Sequence, residues 1–212
     1  MRPLPLDMDG LAAAYCLNIQ HTFEAATAHQ MYRATKGENS YQHIRHLCHE
    51  IALDCGRPIS TVIAVTAVLS PVISWEENIS HARALCCDIA TERFSALPAN
   101  VAKARRVLAG ESTLDVIRGQ KVWNFYWSIL DPTNSFSVCV DRHVCRAAVG
   151  WGMSWRETDV RLKMPGTYRQ ISWAIRRHAR YQGLLPLELQ ALLWLVMREN
   201  VFQTRMFGDL HD

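Results

Sequence analysis

The sequence lacks any run of about 18 uninterrupted apolar residues, the usual requirement for a membrane-crossing helix, so a membrane partner is not expected. It has no Cys-x-x-Cys pair, and none of its 7 cysteines lies beyond Cys145. A Cys-x-x-Cys zinc site and a four-cysteine iron–sulfur site near the C-terminus are thereby excluded. An odd number of cysteines with the vicinal pair Cys86-Cys87 suits reduced core residues better than a disulfide framework. The opening MRPLPLDMDG has neither the basic start nor the apolar run of a secretory signal, so a cytoplasmic location is expected. Fixed-period repeats and low-complexity segments are missing too.

What is present is a chain of 212 residues, 49% apolar, enough to bury a sizeable core in one domain or two small lobes. Its net charge of +3 is unevenly spread. Residues 101–180 hold 14 Lys+Arg against 6 Asp+Glu, which leaves the rest of the chain net acidic. Such a stretch reads either as a basic face that attracts phosphates or as solvated charge on helix surfaces.

Apolar residues recur at spacings of three and four, as in Leu187, Leu189, Leu192, Leu193 and Val196, so the fold class is all-α. Helices are predicted over 9–32, 41–55, 58–69, 74–91, 98–109, 112–118, 121–130, 143–150, 167–182 and 186–199. Only FSVCV (136–140) has β-branched, strand-like content, and it is short. Ser74 followed by Glu77 reads as a capping box, and Gly183 ends one helix before Pro186 opens the next. His43, His46 and His49 step by three, which drifts about 60° per step around a helix, and no HExxH order occurs. These histidines read as surface or hydrogen-bonded side chains, and no metal is expected.

Two residues stand out in GQKVWNFYWSILDPTNSFSVCVDRHVCRAA (119–148). Lys121 begins one apolar, aromatic run behind Gly119, whose missing Cβ permits φ > 0 or a close approach of phosphate to the backbone. Asp141 follows SVCV and precedes a helical segment, the position of an N-cap that feels the positive end of the helix dipole. Singly, each has a bland alternative: a helix cap, and a solvated or phosphate-binding lysine.

Together they resemble the helix-hairpin-helix (HhH-GPD) DNA glycosylase superfamily, which includes endonuclease III and 8-oxoguanine glycosylase. Lyase-competent members have a hairpin ending G-x-K, followed about twenty residues later by V-D-x-H-x-x-R. This chain has GQK at 119–121 and VDRHVCR at 140–146. AVTAVLSPVISWEENI (64–79) is similar to the family's helix end that abuts the lesion. The resemblance covers residues 40–200 and is strongest at 119–146. It departs at the hairpin, usually L-P-G-V-G-x-K, where Ile117 stands in place of the first glycine.

The resemblance implies a single catalytic unit over 1–212, two-lobed and all-α, with a DNA and base cleft between the lobes. One lobe would span about 58–130 and carry the hairpin; the other would combine the N-terminal helices with about 131–212. It implies a monomeric DNA glycosylase acting on double-stranded DNA that contains a modified base, with no cofactor. Asp141 would stabilise the oxocarbenium-like sugar and orient or deprotonate the nucleophile, and Lys121 could form a Schiff base and nick the strand. Without a neutral amine, Lys121 would only bind phosphate or assist base departure.

DNA contacts would come from Arg118, Gly119, Gln120, Lys103, Arg105, Arg106 and Arg146. Ser70, Val72 and Ile73 occupy the place of the wedge that fills the gap left by a flipped base. Phe125, Asn124 and His143 would line the base pocket, although Phe125 and its aromatic neighbours also suit core packing. Likeness to phage-associated members extends the substrate to a hypermodified base such as glucosylated hydroxymethylcytosine, and the role to antiviral defence. Two other readings stay open: a phage-type base-modifying transferase on the same fold, and a non-catalytic helix-hairpin-helix DNA-binding module.

Overall fold

A computed structural model describes residues 8–90 and 93–208. The molecule is all-α: 71% is helix and no strand occurs among the described residues. The helices are α1 (Met8–Glu24), α2 (Ala28–Thr35), α3 (Tyr41–Cys55), α4 (Ile59–Leu69), α5 (Trp75–Cys86), α6 (Pro98–Leu108), α7 (Thr113–Val116), α8 (Gln120–Leu130), α9 (Arg142–Val149), α10 (Trp155–Lys163), α11 (Thr167–Gln182) and α12 (Pro186–Gly208). They form two compact units, one of Met1–Ser40 with Asn134–Asp212, the other of Tyr41–Thr133.

The Tyr41–Thr133 unit is built around α4. Every residue of α4 from Val62 to Leu69 is buried, Thr66 included, and α3, α5, α6 and α8 pack against it. A helix apolar all round is stable only when wrapped by others, and here the buried Thr66 hydroxyl is met by the Cys48 thiol at 3.6 Å. No single helix among the described residues is long and apolar enough to cross a membrane; α3 and α4 pass such a test only as a pair bent by 119°. Ser74 caps α5 through the expected reciprocal bonds with Glu77. Cys55 and Cys87 are joined by a disulfide that ties the end of α3 to the end of α5, while Cys16, Cys48, Cys86, Cys139 and Cys145 are free. The expectation of reduced cysteines thus fails for this pair, because tertiary proximity of two helix ends leaves no mark in the spacing.

In the other unit α12 packs on α1, α2, α9 and α11, and Leu187, Leu189, Leu192, Leu193 and Val196 are fully buried. Polar side chains reach across long sequence separations. The Asn18 amide donates to Ala148 O at 2.9 Å, and the Trp151 indole donates to Thr22 Oγ1 at 2.9 Å. Both bonds fasten α1 to the end of α9.

Three differences from the predicted elements have local causes. The helix expected over 9–32 breaks at 25–27, because Thr27 and Gln30 form a capping box that starts a new helix, α2. An unpredicted helix, α10, starts at the capping box of Ser154 and Glu157. The helix expected over 112–118 shrinks to Thr113–Val116, since Ile117 turns extended (φ −93°, ψ 99°) and buries its side chain in the core. No strand is assigned to 136–140 either; side chains of Asn134, Tyr168 and Arg176 bond to this segment.

Candidate functional site

Asp141 sits in extended conformation at the N-cap of α9. Its Oδ1 accepts the backbone N–H groups of His143 and Val144, both at 2.9 Å. Two charge-assisted bonds to one oxygen fix the carboxylate against the helix dipole and leave Oδ2 without a hydrogen bond among the described residues. The residue is half-buried.

The approach to Asp141 is held from outside its own segment. The Tyr168 hydroxyl, on α11, donates to Val138 O at 2.8 Å and accepts from Val140 N–H at 3.1 Å. Tyr168 therefore supplies the bonds that a neighbouring strand would have made. Arg176 donates to Phe136 O at 3.1 Å, and the buried Asn134 carboxamide accepts from Ser137 N–H at 2.8 Å. Val138, Cys139 and Val140 are all buried, so the segment is packed as well as tied.

Around the start of α9 lies a stack of rings and cations. The His143 ring stands edge-on to Trp155 (5.1 Å between centroids) and to Trp194 (6.1 Å). Arg146 lies 4.5 Å and Arg142 5.4 Å from the Trp155 ring centre. Arg142 is paired with Asp159, and Arg146 donates to Trp151 O at 3.1 Å. Of the two, Arg146 is thus engaged in holding the 151–155 turn as well as being a candidate phosphate contact. Burial pushes the Cys145 thiol up to about 12, with the nearby Asp141 carboxylate adding to the effect. A thiol held protonated at neutral pH is not a nucleophile, so Cys145 offers no competing chemistry beside Asp141.

Lys121 belongs to the first turn of α8 in the Tyr41–Thr133 unit and is half-buried. Gly119 is the N-cap with φ −86°, an extended conformation open to any residue, so the left-handed option is not used. A Cβ added to Gly119 would meet nothing within 4 Å, which leaves the helix N-terminus approachable. Arg118, Gly119 and Gln120 are exposed. Arg118 donates to Asp115 O at 3.1 Å, and Asn124 donates to Gln120 O at 2.8 Å. Phe125 packs edge-on against Tyr41 at 6.0 Å, its ring half-buried within this unit.

On α6, Lys103, Arg105 and Arg106 are exposed, but Arg106 is clamped by Glu111 through both guanidinium branches. Lys103 and Arg105 are the more available cations of the three. At the end of α4 the Ser70 hydroxyl donates to Ala67 O at 2.9 Å, and Ile73 is half-buried. Val72 between them has φ 72° and is 81% exposed. A β-branched residue in left-handed conformation is strained, here with its apolar side chain in solvent. His46 lies 3.5 Å from Glu50, and no cluster of three or more potential metal ligands exists among the described residues.

The structure thus groups Asp141, His143 and Arg146 in one unit, and Lys121, Gly119, Gln120, Arg118, Asn124 and Phe125 in the other. Sequence reasoning missed Tyr168, Arg176 and Trp155, whose contacts lie 9 to 40 residues away from their partners. The chain belongs to a family of unknown function (DUF7178), whose model matches residues 7–201. No curated protein and no solved structure matches it.

Proposed function

We propose that this protein is a DNA glycosylase of helix-hairpin-helix type that extrudes a damaged or modified base from duplex DNA and cleaves its N-glycosidic bond. The observation that carries the reading is the Asp141 carboxylate: capped on Oδ1 by two helix N–H groups, with no hydrogen bond to Oδ2 among the described residues, at the position that the V-D-x-H-x-x-R pattern reserves for the catalytic acid. Oδ2 stabilises the positive charge that develops on the sugar as the base departs, and orients or deprotonates the attacking group. Lys121, at the head of the G-x-K helix, is the residue that the resemblance implies as the amine nucleophile, which when neutral displaces the base from the sugar and leads to nicking of the abasic strand. The cytoplasm is the expected place of work, and no cofactor is required.

Val72 supports the reading independently. Strain of about 1–3 kcal/mol persists where surrounding structure enforces it, and an exposed apolar tip on such a backbone suits insertion into the gap left by a flipped base. Arg118, Gly119, Gln120, Lys103 and Arg105 contribute phosphate contacts. The buried Ile117 replaces the first hairpin glycine by a core contact, so this clamp depends more on side-chain charge than on backbone N–H groups.

The test is incubation with duplexes carrying single damaged or hypermodified bases, followed by alkali to reveal abasic sites and by borohydride to trap a lysine adduct. Asp141→Asn should keep the fold, since asparagine caps a helix as well as aspartate, and should lower excision about 10²–10³-fold. A mass gain on the nucleoside without base release would replace excision by transfer. Binding to duplex DNA with neither product would reduce the protein to a DNA-binding module.

A further inference from the structure

Helix α11 carries Arg169, Arg176, Arg177 and Arg180 and no acidic residue. None of these four guanidinium groups is ion-paired among the described residues. Positions 169, 173, 176, 177 and 180 fall on one side of a helix, and the opposite side, with Ile171, Ala174, Ile175, His178 and Ala179, is buried. The arginines therefore form an uncompensated basic ridge on a rigid element.

Beside this ridge lies a pocket of about 500 Å³, lined by Trp173, Arg176, Arg177 and Arg180 together with Leu184 and Leu185 of the turn into α12. Trp173 remains 43% exposed, with the Arg177 guanidinium 5.3 Å from its ring centre. Arg176 is anchored by its bond to Phe136 O, which fixes one branch of its planar fork. Tyr181, at 83% exposure, adds a second unburied ring about 12 Å along the helix from Trp173. Exposed aromatics interleaved with unpaired arginines combine two recognitions. The forks take phosphate oxygens bidentately, and the rings take the face of any base. Acidic peptide would satisfy the arginines alone and leave the rings idle. In a duplex the base faces are hidden in the stack, so a ring in this pocket selects unstacked nucleotides.

We propose that the α11 pocket binds a single-stranded nucleic-acid segment, with a base stacked on Trp173 and adjoining phosphates held by Arg176, Arg177 and Arg180. The site uses neither Asp141 nor Lys121, so it stands or falls apart from the glycosylase reading. For an enzyme that opens a duplex, it would be a holding site for strand that has left the helix.

The experiment measures fluorescence anisotropy of a labelled oligothymidylate and of a labelled duplex of equal length on the full chain. Arg177→Gln/Arg180→Gln alters two exposed side chains and should leave the fold intact. It should weaken single-strand binding about tenfold or more and make the salt slope shallower by about 1.4. Trp173→Leu should weaken it about five- to a hundredfold and remove the quenching of tryptophan fluorescence. Unchanged single-strand affinity in both α11 variants overturns the proposal, as does a preference for duplex that the double variant abolishes. Displacement by free thymidine monophosphate at an equal concentration of nucleotide would overturn the strand in favour of a mononucleotide, and displacement by inorganic phosphate alone would remove the role of Trp173.

Discussion

Asp141 and Lys121 are positioned by different physics. The lead into Asp141 is an extended, buried segment held by bonds from Tyr168, Arg176 and Asn134, residues of its own unit that lie up to 40 positions away. Lys121 starts a helix whose inner residues Tyr126, Ser128 and Ile129 are buried and which packs on the apolar α4. One segment is tied by polar bonds with fixed directions; the other is seated by apolar packing that tolerates small shifts. Catalytic geometry is commonly demanded to within about half an ångström, and directional bonds supply that better than packing. The contrast can be broken or sharpened by removing one device at a time.

The largest effect is expected in the Tyr41–Thr133 unit, from its covalent staple. Cys55 and Cys87 are 32 residues apart, and closing a loop of that length stabilises a domain by about 3–4 kcal/mol in the chain-entropy account. Cys87→Ser should lower unfolding stability by that amount in oxidising buffer and by almost nothing in reductant, where the wild type should fall to the variant's level. The neighbouring thiol does not blur the result. Burial pushes Cys86 up to about 12, so it supplies little thiolate for exchange. Equal denaturation midpoints for wild type and variant in oxidising buffer would show that the cross-link contributes nothing, and that the unit stands on α4 packing alone.

Legibility in the sequence follows the same division. Helices α3 and α11 are predicted to the residue, and α4, α6 and α8 to within one, because their apolar spacing or their glycine and proline punctuation is local information. The N-cap role of Asp141 is equally local and is found in place. The break between α1 and α2 was written in Thr27 and Gln30, a capping box overridden by an apolar period that runs through it. What could not be read is what closes at a distance: the tyrosine hydroxyl serving residues 138 and 140, the indole of Trp151 reaching Thr22, and the Cys55–Cys87 link. Each depends on which helices become neighbours, and no spacing encodes that. The buried Ile117 belongs to the same group, since a departure from the hairpin pattern becomes intelligible only as a core contact.

Tyr168→Phe tests the polar device directly and ranks second. The ring stays, but the bond to Val138 O is lost and Val140 N–H loses its acceptor, in a segment where both residues are buried. Leaving a buried peptide group unsatisfied costs about 1–3 kcal/mol, so stability should fall within that range. If the protein is the glycosylase proposed above, excision should fall further than the stability loss explains, through kcat rather than KM, because the carboxylate would be held less firmly. A comparable apolar truncation on α8, Ile129→Val, costs about 0.5–1.5 kcal/mol and should leave kcat nearly untouched. If the two variants lower kcat alike, directional bonding has no special part in placing Asp141.

Val72→Gly carries the smallest effect and the opposite sign. Its left-handed backbone is natural for glycine and strained for valine, while an 81% exposed side chain gives up almost no burial when removed. The glycine's greater freedom in the unfolded chain costs about 0.5–1 kcal/mol against about 1–3 kcal/mol of strain released, so a net gain of about 0–2.5 kcal/mol in unfolding stability is expected. A stabilised protein that excises from single strands as before but more slowly from duplex would tie the strain to base extrusion. With excision from duplex unchanged, Val72 would be a loop residue whose strain serves no step of the reaction. With stability lowered instead, the turn after α4 would owe its shape to contacts of the valine itself, and apolar packing would reach even to this exposed end of the unit.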